Sequence, residues 1–326
     1  MDLDVVFIGT GGSAPTARRG LPATLVRRGG DRLLFDCGEG TQRQLLRSAG
    51  LVDLEQIFLT HFHADHILGL PGMLKSFGLR GREAPLTIYG PRGLRALFGA
   101  LEVVIGRTGF EVSLVELDAN DELECDGYRI AAFEVAHRVR ACGYALIEDE
   151  RPGRFDERRA RDLGVAEGPD FGRLQRGEPV VGATGEEVRA DQVLGPPRAG
   201  RKVVISGDTA PCPMTAAVSH RAELLVHEST FAEQEAERAR ETGHSTARGA
   251  AELAASADVR LLALNHLSAR YPARELRAEA RAAFERTIVP RDFDRVVIPL
   301  PERGDPVHVR VEEDALPLPD EQPAAL

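Results

Sequence analysis

The chain has 326 residues, 43% of them hydrophobic and 28% charged, with a formal net charge of -10 at pH 7. That is enough apolar chain for a sizeable core in one large domain or two small ones, while the acidic balance, the 5% aromatic content and the absence of Trp argue against a surface that coats nucleic acid or stacks bases over a broad area. No run approaches the roughly 20 apolar residues of a membrane span, the start Met1-Asp2-Leu3-Asp4 lacks a secretory pattern, and Cys37, Cys125, Cys142 and Cys212, none in CxxC spacing, read as reduced thiols of a cytoplasmic protein.

Residues 3–8 alternate weakly and read as a first strand. The loop from Gly9 to Pro15 is rich in glycine, but no GK[ST] follows and the GxGxxG pattern is absent, so it reads as a turn. Residues 24–26 and 32–36 form an expected hairpin around Gly29, Gly30 and Asp31. Asp36 ends the second of these strands, where its carboxylate can accept a hydrogen bond from a ligand histidine. A helix is expected from about Thr41.

Ile57, Phe58 and Leu59 read as a buried strand, and Thr60-His61-Phe62-His63-Ala64-Asp65-His66 follows at once. The cluster therefore falls in the loop at a strand's C-terminal end, a common place for a site in α/β proteins. His61 and His63 can face one ion, while Asp65 and His66 can turn to a second beside it. Mixed imidazole and carboxylate donors suit zinc, iron or manganese. A solvated loop that happens to carry three histidines is the bland alternative, and the crowding between positions 61 and 66 weighs against it.

Further strands are expected at 86–89, 112–117, 128–133 and 142–147, with a helix over 92–101. His137 lies between the last two strands; alone it is as readily structural as functional, and beside a metal site it is the natural third nitrogen donor. Residues 148–202 are rich in Gly, Pro and charge, with little apolar periodicity, and read either as a flexible surface loop or as an extended arm. Arg151, Arg154, Arg158, Arg159 and Arg161 stand early in the stretch and Arg198, Arg201 and Lys202 at its far end, where phosphate neutralisation would give sequence-independent RNA affinity. Residues 203–209 form another buried strand ending in Asp208, whose two oxygens can bridge two ions. A strand over 224–230, a helix over 233–241, His244, and a helix over 247–256 capped by Ser245 or Thr246 follow. A strand over 261–266 ends in His266, with Arg270 just beyond, able to hold a phosphate through its planar fork. A helix over 273–284 and a strand at 296–299 complete the fold, and the acidic, Pro-rich stretch 312–326 is expected to be disordered.

The run HFHADH at 61–66 resembles the HxHxDH signature of the metallo-β-lactamase superfamily of two-metal hydrolases. The string FDCGEGTQ at 35–42 is similar to the ribonuclease Z family within it, the enzymes that process the 3′ end of tRNA. The resemblance runs from Gly9 to about Tyr271. It implies an α/β fold, the αββα sandwich, as a single domain over 1–326 with a protruding flexible arm inserted at 148–202. It implies two zinc ions per subunit, with manganese as the alternative. The first would be held by His61, His63, His137 and Asp208, the second by Asp65, His66, Asp208 and His266. Asp65 and His244 would be catalytic, His244 helping the leaving group depart, and Arg270 would hold the phosphate. Residues 168–177 resemble the arm tip that grips tRNA, which makes Gly168, Pro169, Phe171 and Gly172 RNA contacts. Family members often carry a PxKxR loop after the first strand. Here Ala17 stands at the lysine position, and Arg18 and Arg19 are expected to take over contacts to the RNA end. Precursor tRNA is the implied substrate and a homodimer the implied assembly, with no membrane partner.

Two other classes compete. One is a small-molecule phosphodiesterase or arylsulfatase-like hydrolase on the same metal centre, which would have little use for the arm. The other is a non-catalytic RNA-binding or scaffold protein, disfavoured because every ligand position is filled.

Overall fold

β-Branched and aromatic runs bounded by Gly, Pro and Asp make the strands of this chain. The computed structural model describes residues 1–50 and 54–311; the stretch expected to be disordered, 312–326, lies outside the described residues. In chain order the strands are β1 Leu3–Gly9, β2 Ala23–Arg28, β3 Asp31–Phe35, β4 Gln56–Phe58, β5 Leu86–Pro91, β6 Val112–Leu117, β7 Glu122–Cys125, β8 Tyr128–Glu134, β9 Cys142–Glu148, β10 Val180–Val181, β11 Glu187–Val188, β12 Lys202–Ile205, β13 Leu224–Glu228, β14 Leu262–Asn265, β15 Thr287–Ile288, β16 Arg295–Val297 and β17 Val307–Val309. They build one sheet in the order β17-β16-β1-β2-β3-β4-β5-β6, a second in the order β15-β14-β13-β12-β9-β8-β7, and the small pair β10-β11. The chain divides into two compact units, one comprising Met1–Cys125, Arg129–Leu146 and the chain from Arg201 on, the other Asp126–Tyr128 and Ile147–Gly200.

In the first unit the two large sheets pack face to face through an aromatic seam. Phe58 stacks on Phe35 at 5.0 Å and on Tyr89 at 4.7 Å between ring centroids. Tyr144, from the opposite sheet, meets Phe35 at 5.8 Å and donates its hydroxyl to the Leu59 carbonyl at 2.8 Å. Helices Thr41–Arg47, Gly69–Leu79 and Leu94–Ile105 bury Leu45, Leu70, Met73, Leu74 and Leu94 with Leu25, Leu34, Ile57 and Ile88 of the first sheet. Each such side chain withdrawn from water contributes about 1.5–3 kcal/mol. Helices Ala247–Ser256 and Ala273–Ala283 cover the second sheet, which makes the αββα layering. Of the two capping candidates it is Thr246 whose hydroxyl accepts the Gly249 N–H, at 3.0 Å.

Neighbours β3 to β6 run parallel, as do β12 to β15. Parallel strands end on one edge, so the residues that follow β3, β4, β12, β13 and β14 are delivered together. The described residues include no helix long and apolar enough to cross a membrane.

The second unit carries regular elements where the sequence shows little apolar periodicity. It has helices Glu157–Asp162 and Pro169–Gln175, the hairpin β10-β11, and its own core of Ala160, Val165, Phe171, Leu174, Val180, Val188 and Val193. Asp156 caps the first helix by accepting the Arg159 N–H at 2.9 Å. Arg151 and Arg198 pair as an antiparallel bridge, N–H to carbonyl at 2.8 and 2.9 Å, and so close the two ends of the unit. Apolar residues spread among glycines and prolines leave no helical or strand period to read.

Candidate metal centre

Each of the donors stands just beyond a strand end or in a loop that packs on one. His61, His63, Asp65 and His66 follow β4, His137 follows β8, Asp208 follows β12 and His266 follows β14. Two of the residues involved sit at positive φ without being glycine, Asp36 at 59° and His266 at 55°, a backbone state that surrounding contacts must enforce. Glycine is required at two points of close approach. A Cβ on Gly207, itself at φ 61°, would lie 2.8 Å from Thr60 Cβ, and one on Gly12 would lie 2.3 Å from His266 Nδ1.

The donor atoms of His61, His63, His137 and Asp208 lie within 4.8 Å of one another, as do those of Asp65, His66 and His266, and those of Asp208, His244 and His266. Asp208 stands between the groups: its Oδ2 is 3.7 Å from His61 Nε2 and 3.4 Å from His266 Nε2, and its Oδ1 is 3.4 Å from His66 Nε2. Asp65 Oδ2 is 3.2 Å from His266 Nε2 and 3.8 Å from His66 Nε2. The seven residues named as ligands from the sequence are thus brought together, and Asp208 is the shared neighbour.

The far side of four of the five ligand imidazoles is tied down, which fixes their orientation. His66 Nδ1 meets Asp36 Oδ2 at 2.8 Å, His61 Nδ1 meets the Thr60 hydroxyl at 3.0 Å, His137 Nδ1 meets the Gly243 carbonyl at 2.9 Å and His266 Nδ1 meets the Thr230 hydroxyl at 2.8 Å. With those nitrogens engaged, the opposite ones face the cluster. His66 Nε2 and Asp208 Oδ1 are buried there with no hydrogen-bond partner. Unpaired buried polar atoms are costly, and a cation between them is the partner that this donor set accepts.

Charge tells the same story. Burial among His66, His137 and His63 pushes the His61 imidazole down to about 2, so it stays neutral and keeps a free lone pair. Burial also works against charge on His66, but the carboxylates of Asp208 and Asp36 outweigh it and raise its pKa well above the ordinary value. Asp208, although buried, is held well below the carboxylate range by His266, His66 and His61.

Glu228, passed over in the sequence reading, is the most connected carboxylate here. It is 2% exposed. Its Oε1 accepts from His244 Nδ1 at 2.7 Å and Thr209 N–H at 3.0 Å, and its Oε2 from the Thr230 hydroxyl at 2.7 Å and N–H at 3.0 Å. Burial alone would lower the pKa of His244; the hydrogen bond and charge of Glu228 outweigh it and lift it to about 8. A signal was present: Glu228 ends a strand in a carboxylate, as Asp36 and Asp208 follow theirs. His227, set aside as a ligand, is buried with Nδ1 on the Glu228 carbonyl at 2.8 Å and stands outside the donor groups.

The expected RNA contacts divide. Arg18 is exposed. Arg19 is a correction: its guanidinium turns inward to the Thr10 hydroxyl and, at 2.9 Å, the Pro290 carbonyl, and burial lowers its pKa. Phe171 is likewise spent on the second unit's core, tilted on Phe155 at 4.9 Å between centroids, while Gly168 and Pro169 are exposed and Gly172 half-buried at the start of their helix. Arg270 lies over Phe231 at 5.0 Å and Tyr271 at 5.4 Å, and pairs with Glu235 at 3.3 Å.

Two sheets in a sandwich, with histidines and carboxylates gathered where parallel strands end, are the arrangement of a metallo-β-lactamase fold whose donor groups can hold metal. A family model described as the metallo-beta-lactamase superfamily matches residues 19–173. Ribonuclease Z of Halorubrum lacusprofundi is 46% identical over 307 residues, covering 93% of this chain and 99% of the relative. Ribonuclease Z of Myxococcus xanthus is 46% identical over 304 residues, covering 92% and 99%. Among solved structures, the short form of human tRNase Z aligns with a TM-score of 0.64 at 27% identity, over 91% of this chain and 99% of that one. YhfI of Bacillus subtilis, at 19% identity over 91% of this chain and 100% of its own, shares the fold with a TM-score of 0.66. The chain belongs to the ribonuclease Z family.

Proposed function

We propose that this chain is a metal-dependent endoribonuclease that removes the 3′ trailer from precursor tRNA and leaves a 3′-hydroxyl. One observation carries the reading: in a chain whose relatives are ribonucleases Z along nearly their whole length, seven histidine and aspartate donors gather in groups no wider than 4.8 Å. His61, His63, His137 and Asp208 would hold a first zinc ion, and Asp65, His66, His266 and Asp208 a second, with manganese as the alternative. When bound, such ions supply Lewis acidity and neutralise the charge of a phosphodiester in an in-line displacement.

The protein's own groups divide the remaining work. Asp65 orients the attacking water and accepts its proton. The bond between phosphorus and the tRNA 3′-oxygen breaks, and His244, kept protonated by Glu228, delivers a proton to that oxygen. Arg270, stiffened between Phe231 and Tyr271, pairs with the non-bridging oxygens. Arg18 and the segment around Gly168, Pro169 and Gly172 contact the RNA. We place the enzyme in the cytoplasm, where its substrate is made.

The assembly is a homodimer. Helix Leu94–Ile105 supports this: Val103 is 94% and Val104 62% exposed, with Leu79 of the neighbouring helix at 88%.

A small-molecule hydrolase on the same centre would have no use for the 147–200 unit, so excision separates the readings. Purified protein with zinc or manganese should cleave a 3′-extended precursor after the discriminator base. Removing 152–197 and joining the ends at the Arg151–Arg198 bridge should cripple that cleavage and spare hydrolysis of a small phosphodiester. Equal loss of both would remove the unit from RNA binding, and intact protein inert on the precursor would overturn the nuclease reading.

A further inference from the structure

The loop between β1 and β2 reaches the metal centre through its backbone. Ser13 adopts a φ of 64° and so turns its N–H onto Asp65 Oδ2 at 2.8 Å. Gly12 lies flat against the His266 ring, where a Cβ would meet Nδ1 at 2.3 Å. One side of this turn is pinned to the segment after β14: Leu267 N–H reaches the Thr10 carbonyl at 3.0 Å, and Gly12 N–H the Leu267 carbonyl at 3.1 Å. A serine does not hold a left-handed backbone unless its surroundings enforce it, and the loop tip, residues 13–18, is exposed.

The constraint comes from the loop's neck. Asp292, distant in sequence and outside the catalytic groups, accepts four hydrogen bonds there. Its Oδ1 takes the Thr10 N–H at 3.0 Å and the Thr10 hydroxyl at 2.6 Å; its Oδ2 takes the Gly20 N–H at 2.6 Å and the Gln44 amide at 2.7 Å. Thr10 and Gly20 are the two ends of the loop, and Gly11 N–H bonds the Gly20 carbonyl beside them at 2.8 Å. One carboxylate therefore closes the neck and draws in the helix that starts at Thr41.

We propose that Asp292 is a positioning residue for the metal centre: by closing the neck of the 10–20 loop it holds the Gly12–Ser13 turn against Asp65 and His266, and so sets the Asp65 carboxylate for metal binding. The inference rests on the metal-centre reading above. Outer partners of metal ligands commonly govern affinity by about 10- to 100-fold, and Asp292 acts one step further out, through the Ser13 N–H.

Two readouts test it, one of which needs no metal. In metal-free protein, amide hydrogen exchange at Ser13 should speed up at least about 10-fold in Asp292→Asn and in Asp65→Ala. In zinc-loaded protein, Asp292→Asn should release metal to a chelator about 10-fold faster than wild type, and Gln44→Ala, which removes one of the four donors, should do so to a smaller extent. Asp294→Asn is the control. That neighbouring carboxylate is also buried, but it accepts from His308 at 2.9 Å, the Arg291 N–H at 2.9 Å and the Val311 N–H at 3.3 Å; it acts on the loop only through its charge on Arg19 and, among the described residues, makes no side-chain hydrogen bond to it. It should lower the melting temperature without speeding release. In an Asp65→Ala background, Asp292→Asn should add little to the release rate. The proposal is overturned if Asp292→Asn leaves Ser13 exchange unchanged, if it releases metal no faster than Asp294→Asn, or if its effect persists in full without Asp65. Wild-type protein devoid of metal would sink the metal-centre reading, while the exchange measurement would still decide the clamp.

Discussion

Replacing Glu228 with glutamine separates the electrostatic task of this residue from its structural one. The carboxylate receives four hydrogen bonds, two on each oxygen. A glutamine retains one acceptor oxygen. With its amide nitrogen in the Oε1 place it opposes the Thr209 N–H and forces His244 to accept; in the Oε2 place it opposes the Thr230 N–H. Either way one buried backbone N–H loses its acceptor, which costs about 1–3 kcal/mol of stability. The negative charge beside His244 is lost in both. An opposite charge at hydrogen-bond distance is worth about 1–3 pKa units, so His244 should fall from about 8 to below about 7.

The sign follows from the direction of that shift. His244 gains its partner on folding and its pKa rises above 6.5, so the pair's contribution is full below 6.5 and is lost as pH rises through about 8. In Glu228→Gln that window closes. At pH 7.5 the imidazolium would drop from about three-quarters to below about a quarter of molecules. A proton donor acts in proportion to its protonated fraction, so single-turnover cleavage of a 3′-extended precursor should slow by about 3-fold or more at that pH, with KM little changed. The deficit should shrink toward pH 6. NMR titration of His244 in metal-stripped protein reads the pKa directly; bound cations repel the imidazolium, so the kinetic break of the loaded enzyme should lie lower than that value. If the rate profile of Glu228→Gln overlays that of wild type while its melting temperature falls, Glu228 is scaffolding alone and His244 does not depend on its charge.

Asp36→Asn should keep the fold and weaken divalent metal affinity by about 10- to 100-fold, since the His66 Nδ1 contact at 2.8 Å loses its charge; competition with a chromophoric chelator would read it, and unchanged affinity would refute it. Glu235→Gln should release Arg270 from its ion pair at 3.3 Å. The pair is partly exposed and worth about 0–1 kcal/mol, so KM for precursor RNA should fall by no more than about 5-fold with kcat unaltered, whereas a rise would show that Glu235 orients Arg270 rather than competing with phosphate. Asp65→Ala should abolish cleavage of both precursor tRNA and a small phosphodiester, and a fully active variant would take Asp65 out of the reaction.

How much of this was legible in the sequence depends on how local each signal is. His61, His63, Asp65 and His66 sit within one turn of chain behind an apolar strand, so their common direction follows from position alone. Asp208 and His266 each close an apolar run, and parallel strands ending on one edge make such residues neighbours. Glu228 ends a strand in the same way, but its meaning depends on His244, which arrives by a separate loop and declares itself only when Oε1 meets Nδ1. Arg19 was misread for a related reason. A basic residue in a loop reads as available, and nothing nearby in sequence announces that Thr10 and the Pro290 carbonyl will claim its guanidinium. The 147–200 unit hid differently: its core side chains are few and separated by glycines, prolines and charges, so no period of 2 or 3.6 survives for a pattern reading to find.

These failures share a cause, and it bears on where function resides. The donors of the candidate metal centre are chemically conspicuous and clustered by strand ends. The groups that aim them, namely Asp36 on His66, Thr230 on His266, Gly243 on His137 and Asp292 through Ser13 on Asp65, like Glu228 on the proton donor His244, are ordinary residues recruited across the fold. A metal centre of the same seven donors could be drawn in many sandwiches. What particularises this one is the partner set on the far side of His61, His66, His137 and His266, where a lost hydrogen bond changes orientation before it changes composition. Variation in rate and metal affinity among chains with identical donors should therefore track those partners, and exchanging them one at a time in this protein is the direct measure of that dependence.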